Sequence, residues 1–146
     1  RLVAPVTIAC SVQPRAINTA RLLVERLAPV RLDMYMELAT GQDAPVRKYA
    51  WGDLDAVHGI VERAAAAFES VVLVTHHEVC SLYPDYFLTK CLSVGCGSPP
   101  LKRGEALLLD CVTGECELLE RDGAVRRWNA LDDSGFERIP FGTTPE

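Results

Sequence analysis

The 146 residues contain no apolar run close to the roughly 20 residues that a bilayer-spanning helix requires, and no segment resembles a signal peptide. Basic residues are also scarce, since 15 Lys and Arg stand against 20 Asp and Glu, giving a formal net charge of -5. Without a basic patch, binding to the phosphates of nucleic acids is not expected. We therefore expect a cytoplasmic protein that contacts neither nucleic acid nor membrane.

Histidine is rare, with three residues in the chain, and two of them, His76 and His77, are adjacent. They follow Val71 to Thr75, an unbroken apolar or β-branched run that is typical of a strand buried on both faces of a parallel sheet. Ligands of open α/β sheets bind beyond the carboxyl ends of the strands. The sequence therefore predicts imidazole where such a fold binds ligands, although a histidine there can also be a hydrogen-bonded turn residue.

Strands and helices alternate over the first half of the chain. Val6 to Ala9 predicts a strand, and Pro14 is placed to open the helix that follows. Val30 to Met36 alternates, which predicts a half-buried strand with its even-numbered, apolar residues on one side. Asp53 is a candidate N-cap for a second helix that leads into the strand at Val71. This order predicts an α/β protein with a mainly parallel sheet.

The second half of the chain predicts a hairpin. Glu105 to Asp110 predicts a strand, Thr113-Gly114 a tight turn, and Glu115 to Glu120 the returning strand. The segment from Pro84 to Ser93 fits either a short helix or an irregular stretch. The total length suits one domain, so we expect residues 1–146 to form a single domain.

A short motif that includes polar residues suited to phosphate chemistry lies at the end of each of the three predicted parallel strands. The motif residues are Ser11, Arg15, Ala16, Thr19 and Ala20 after the first, Glu37 and Gly41 after the second, and Thr75 and His76 at the third. In type, order and spacing they resemble the histidine phosphatase superfamily, which includes cofactor-dependent phosphoglycerate mutases and phosphohistidine phosphatases. The resemblance covers Val6 to Leu119. It implies a three-layer α/β/α fold, phosphoglycerate mutase-like, with a mostly parallel sheet.

The resemblance also implies roles for individual residues. Arg15 and Ser11 would bind the phosphoryl group, His76 would stabilise charge in the transition state, and Glu37 would protonate the leaving oxygen. A guanidinium group presents a planar fork to phosphate oxygens, which makes the first of these roles physically sensible. Taken singly, Arg15 and Glu37 could equally be solvated surface residues. No metal or other cofactor is implied, and the expected partners are a phosphorylated small molecule or phosphoprotein, with a homodimer as a further candidate.

One departure from the family pattern bears on activity. The family's nucleophile is the histidine of an Arg-His-Gly triplet at the end of a central strand, and the sequence contains no such triplet. The remaining histidine, His58, falls within the second predicted helix. A phosphohistidine mechanism requires that imidazole. We therefore predict that the folding unit includes an N-terminal segment beyond these residues, the alternatives being a strand supplied by a partner or a degenerate relative.

Two other classes of function stay open. A non-catalytic interaction domain or subunit of an assembly would keep the fold without the nucleophile. A zinc-stabilised module is suggested by the six cysteines, because Cys91 and Cys96 are five residues apart, as are Cys111 and Cys116. Without a secretory signal we expect these thiols to be reduced. Cys80, close to the paired histidines, is a weaker candidate nucleophile.

Overall fold

The computed structural model describes residues 2–132 as a mixed α/β structure, which confirms the predicted α/β class, while the three-layer arrangement stays a prediction. Its strands are β1 (Val6–Ser11), β2 (Arg31–Tyr35), β3 (Ser70–Val74), β4 (Ala106–Leu109), β5 (Glu115–Leu119) and β6 (Val125–Asn129). Its helices are α1 (Pro14–Leu27), α2 (Leu54–Ala65) and α3 (His77–Leu92), with short 3-10 turns at Met36–Leu38 and Arg47–Tyr49. The contacts divide the chain into two compact units, Arg1–Cys80 and Ser81–Glu146. The single domain over 1–146 stays a prediction.

The first unit is built on a parallel sheet with the order β2-β1-β3. Even-numbered residues of β1, Ile8 and Cys10, pack with Val74 against Ala16 and Ala20 of α1 on one face. At the opposite face, residues that follow and end α2 line a cavity together with odd-numbered residues of β1. Two small residues, Ala16 and Ala20, therefore bury α1 against the sheet.

The predicted starts of both helices are confirmed. Pro14 occupies the first turn of α1, where its missing N–H has no intrahelical partner to lose. Asp53 caps α2, because its side chain accepts a hydrogen bond of 3.1 Å from the N–H of Ala56. Such caps satisfy one of the unpaired donors of a helix end and typically contribute about 1 kcal/mol.

The pairing of β1 shows whether this sheet has room for the extra central strand that carries the Arg-His-Gly triplet in the resembled family. β1 pairs with β2 through Thr7 to Ser11 and with β3 through Val6 to Cys10. Both of its edges are therefore hydrogen-bonded. In the sheet that the structure describes, no position next to β1 is open to a further central strand.

Burial of the two outer strands differs from the sequence expectation. The even-numbered residues expected inside are exposed, with Val30 at 67%, Met34 at 55% and Met36 at 50% of their free surface. In β3 only Val74 is fully buried. The physical reason is that β2 and β3 are the outer strands of a three-stranded sheet, so α1, which packs on β1 and β3, does not cover β2.

The second unit contains an antiparallel sheet with the order β4-β5-β6. The predicted hairpin is confirmed as β4 and β5, whereas β6 was not predicted. Its core contains Trp128, Leu118 and Leu88 with two buried cysteines. The segment from Pro84 to Ser93, which fitted either a short helix or an irregular stretch, is helical as far as Leu92, because α3 continues through Pro84. None of the helices within residues 2–132 combines the length and apolar character needed to cross a bilayer.

Candidate functional site

The carboxyl ends of the three parallel strands meet at one edge of the first sheet. Ser11 ends β1 and lies level with Tyr35, the last residue of β2. Cys10 lies level with Val74, the last residue of β3, and His76 follows two residues later. The order of strands and helices in the sequence predicted this meeting of strand ends.

Ser11 and His76 are in direct contact. The Oγ atom of Ser11 lies 2.7 Å from Nε2 of His76, and it also accepts a hydrogen bond of 3.2 Å from the N–H of Gln13. Ser11 is fully buried, whereas His76 is partly exposed. The buried serine hydroxyl therefore holds the imidazole ring in place, and its predicted part in phosphate binding stays a prediction.

Arg15 is held at the start of α1 by two neighbours. One guanidinium nitrogen lies 3.3 Å from Oδ2 of Asp43, and the other donates to the amide oxygen of Gln13 at 3.2 Å. The Gln13 amide nitrogen in turn donates to Asp43 at 3.0 Å and to the carbonyl of Thr40 at 3.2 Å. The side chain of Arg15 is 59% exposed, so it can exchange Asp43 for a ligand.

A second carboxylate, that of Glu78, is bound by Thr40, whose carbonyl also accepts the hydrogen bond from Gln13. The hydroxyl of Thr40, which is fully buried, donates a hydrogen bond of 2.6 Å to Glu78 in the first turn of α3. Gly41 follows with φ of +92°, a left-handed conformation that favours glycine and turns the loop toward Asp43. The loop after β2 thus connects the starts of α1 and α3.

Glu37 lies just after β2 but takes no part in this hydrogen-bonded network. It lies in the 3-10 turn Met36–Leu38, and the carbonyl of the next residue, Leu38, accepts a hydrogen bond of 2.7 Å from the hydroxyl of Thr75. Within residues 2–132 no hydrogen bond or ion pair joins Glu37 to Ser11, Arg15 or His76. The structure therefore brings together three of the four predicted site residues and leaves Glu37 nearby in the fold.

The charges at the site shape the protonation of His76. Burial lowers the pKa of His76 from its ordinary 6.5, and the positive charge of Arg15 lowers it further. Glu78 and Asp43 act in the opposite direction but do not reverse the shift. The pKa of Asp43 is lowered by its hydrogen bond with Arg15, and that of Glu78 by its hydrogen bond with Thr40. At neutral pH the imidazole is therefore uncharged beside two carboxylates and one guanidinium.

The lowered pKa predicts a pH dependence of stability. Below about pH 6.5 the unfolded chain binds more protons at this position than the folded chain, so the unfolding free energy falls as the pH drops from about 7.5 toward the folded pKa. His76→Gln, which keeps a polar group near Ser11, should remove this part of the slope. Urea unfolding of both proteins between about pH 5 and pH 8 measures it, and identical slopes would contradict the prediction.

The four cysteines of the predicted zinc module differ in burial. Cys96 and Cys116 are buried in the second unit, whereas Cys91 and Cys111 are exposed. Residues 2–132 contain no group of three or more His, Cys, Asp or Glu side chains that could hold a metal ion. Burial raises the pKa of Cys80 to about 11, so its thiol is protonated at neutral pH, which weighs against a nucleophilic role.

Sequence reasoning missed four residues of the site. Gln13 stands between Ser11 and Arg15, and Glu78 stands two residues after His76, so proximity in sequence was an available signal for both. Thr40 and Asp43 gave no such signal, because their contacts depend on how the loop after β2 folds. His58, the remaining histidine, lies within α2 with Nε2 3.8 Å from Glu62, so it does not join the site.

Comparisons of the chain with protein-family models, curated proteins and solved structures found no match.

Proposed function

We propose that the first unit binds a phosphoryl group at the carboxyl ends of β1 and β3, as a phosphatase or phosphomutase of the histidine phosphatase type. The observation that supports this most directly is the 2.7 Å contact between Ser11 and His76, beside an exposed arginine in the first turn of the following helix. A neutral imidazole, a guanidinium group and a helix start are donors that suit phosphate oxygens. The three-layer phosphoglycerate mutase-like fold belongs to this proposal.

In this proposal each residue has a distinct part. Arg15 leaves Asp43 and pairs with two phosphate oxygens, while His76 donates to a third, and the dianion favours the protonated imidazole. Ser11, which is buried, is a positioning residue that holds the ring of His76. Glu37 contacts the substrate's leaving oxygen from the loop after β2.

The proposed reaction has two steps. A histidine outside the 146 residues attacks phosphorus, the bond from phosphorus to the leaving atom breaks (oxygen in a phosphomonoester, nitrogen in phosphohistidine), and Glu37 donates a proton to that atom. Water then attacks phosphorus, the phosphorus–nitrogen bond breaks, and the Glu37 carboxylate takes the proton of the water. Substrates of this chemistry are phosphomonoesters and phosphohistidine.

A second candidate is a phosphate-binding module without turnover. It is favoured by the direct pairing of β1 with both β2 and β3, which forms a sheet without the extra central strand that carries the nucleophile in the family. The absence of an Arg-His-Gly triplet from the sequence agrees with it. Both candidates require the same anion site and differ only in catalysis.

Titration with inorganic phosphate, followed by amide chemical shifts at pH 7.5, tests the shared site. Shifts confined to Ser11–Ile17 and His76–Val79 are expected, and a spectrum unchanged at saturating phosphate would overturn both candidates. Hydrolysis of p-nitrophenyl phosphate by the full-length gene product then separates them, because the enzyme candidate requires a histidine outside the 146 residues. Turnover supports the enzyme, and binding without turnover supports the module. If turnover is found, His76→Ala must remove it; normal turnover in that variant would reject the assignment.

A further inference from the structure

The outer edge of β2 combines an open strand with apolar and charged side chains. Within residues 2–132 no strand pairs with this edge, because the sheet order is β2-β1-β3. Val30, Leu32 and Met34 on one face are 67%, 38% and 55% exposed. An exposed edge strand with apolar residues is a template for pairing with another strand.

The backbone of β2 fixes which residues can form new hydrogen bonds. The carbonyl of Arg31 faces β1, since it accepts a hydrogen bond of 3.4 Å from the hydroxyl of Thr7. Along a strand, the N–H and C=O groups of successive residues alternate between the two edges. Those of Leu32 and Met34 therefore face the open edge.

The charges on the other face of β2 are self-complementary. Arg31 and Asp33 alternate with the apolar residues, and within the chain they form an exposed ion pair with atoms 2.9 Å apart. If a second β2 strand lies antiparallel and centred on Leu32, each Arg31 stands opposite Asp33 of the other copy. A pair centred on Arg31 or on Asp33 would instead place two like charges opposite each other, which is destabilising.

We propose that two copies of this chain associate through β2, antiparallel and centred on Leu32, to form one continuous six-stranded sheet. The two Leu32 residues exchange their N–H···O=C hydrogen bonds at the two-fold axis. Arg31 and Asp33 form closely spaced cross-strand pairs, because they occupy the non-hydrogen-bonded positions. On the opposite face, Val30 contacts Met34 of the other copy, so the apolar side chains become covered.

Charge reversal tests the proposal by sedimentation over a concentration series from about 1 µM to about 1 mM. The unmodified chain should shift from monomer to dimer, and Arg31→Asp or Asp33→Arg should weaken dimerisation by about tenfold or more, because each places like charges across the axis. The two single variants should form a heterodimer when mixed, since every cross-strand pair is then opposite in charge. The double variant Arg31→Asp/Asp33→Arg should recover the homodimer.

Two further measurements separate this interface from general effects. Arg127→Glu, which disrupts an exposed cross-strand ion pair of the second unit, should leave dimerisation unchanged. In a Cys91→Ser/Cys111→Ser background, Leu32→Cys should cross-link between copies on mild oxidation, because its Cα atoms would lie about 5.5 Å apart, whereas Met34→Cys should not. A chain that is monomeric throughout, or variants that dimerise alike, would overturn the proposal.

Discussion

Arg15→Ala is expected to weaken the binding of inorganic phosphate by about 10- to 100-fold at pH 7.5, because hydrogen bonds to charged groups are worth about 1.5–3 kcal/mol. Its side chain is largely exposed and its partners are Asp43 and Gln13, so removing it leaves no buried charge unpaired. Isothermal titration at low ionic strength measures the change.

Asp43→Asn should act in the opposite direction. Asp43 forms an ion pair of 3.3 Å with the guanidinium group of Arg15 and adds negative charge to the site. The Asp43→Asn variant, which lacks this charge, should therefore bind phosphate more tightly. Arg26→Ala is a matched control, because it removes an equal charge from the last turn of the same helix, about 16 Å away. Equal losses in Arg15→Ala and Arg26→Ala would show that the effect is one of net charge and would contradict a site at the strand ends.

Trp128→Ala should lower the unfolding free energy by about 3–5 kcal/mol, the usual range for large-to-small changes at a buried aromatic residue. Trp128 is 6% exposed in the core of the second unit, and its indole N–H donates to the carbonyl of Cys96 at 2.8 Å. Trp128→Phe keeps a ring but leaves that carbonyl without its donor, so a smaller loss of about 1–3 kcal/mol is expected. Urea unfolding followed by circular dichroism gives both values.

The other tryptophan provides the matched control. Trp51 is 79% exposed, so Trp51→Phe should change the unfolding free energy by no more than about 0.5 kcal/mol. In the unmodified chain, the blue-shifted part of the tryptophan fluorescence should therefore come from Trp128. Equal destabilisation by Trp51→Phe and Trp128→Phe would contradict the assigned burial of these two side chains.

Local sequence patterns were enough to predict several helix starts and strands of the first unit. Proline at the start of α1, the aspartate cap of α2 and the apolar run of β3 depend on residues close together in sequence, and each lies where it was expected. Because carboxyl ends of neighbouring parallel strands share an edge, the meeting of Ser11 and His76 also followed from strand order. β6 was missed because Val125–Asn129 contains two arginines and lacks an apolar run.

Burial was the least predictable property of the first sheet. The alternation of β2 correctly indicated a strand, but alternation reports only that two faces differ, not which is covered. Its apolar side chains are exposed because β2 lies at the edge and α1 packs over the other two strands. That arrangement depends on packing between elements distant in sequence.

By itself the sequence determined the α/β class, the helix starts and the gathering of Ser11, Arg15 and His76 at one sheet edge, because these follow from periodicity, capping and the parallel order of strands. Only the tertiary structure decided that Asp43 forms an ion pair with Arg15, that Thr40 hydrogen-bonds to Glu78 and that Glu37 stays outside the hydrogen-bonded network. The reason is that these contacts join loop residues to distant strand and helix ends, and their partners are chosen by the folded path of the loop rather than by any local pattern.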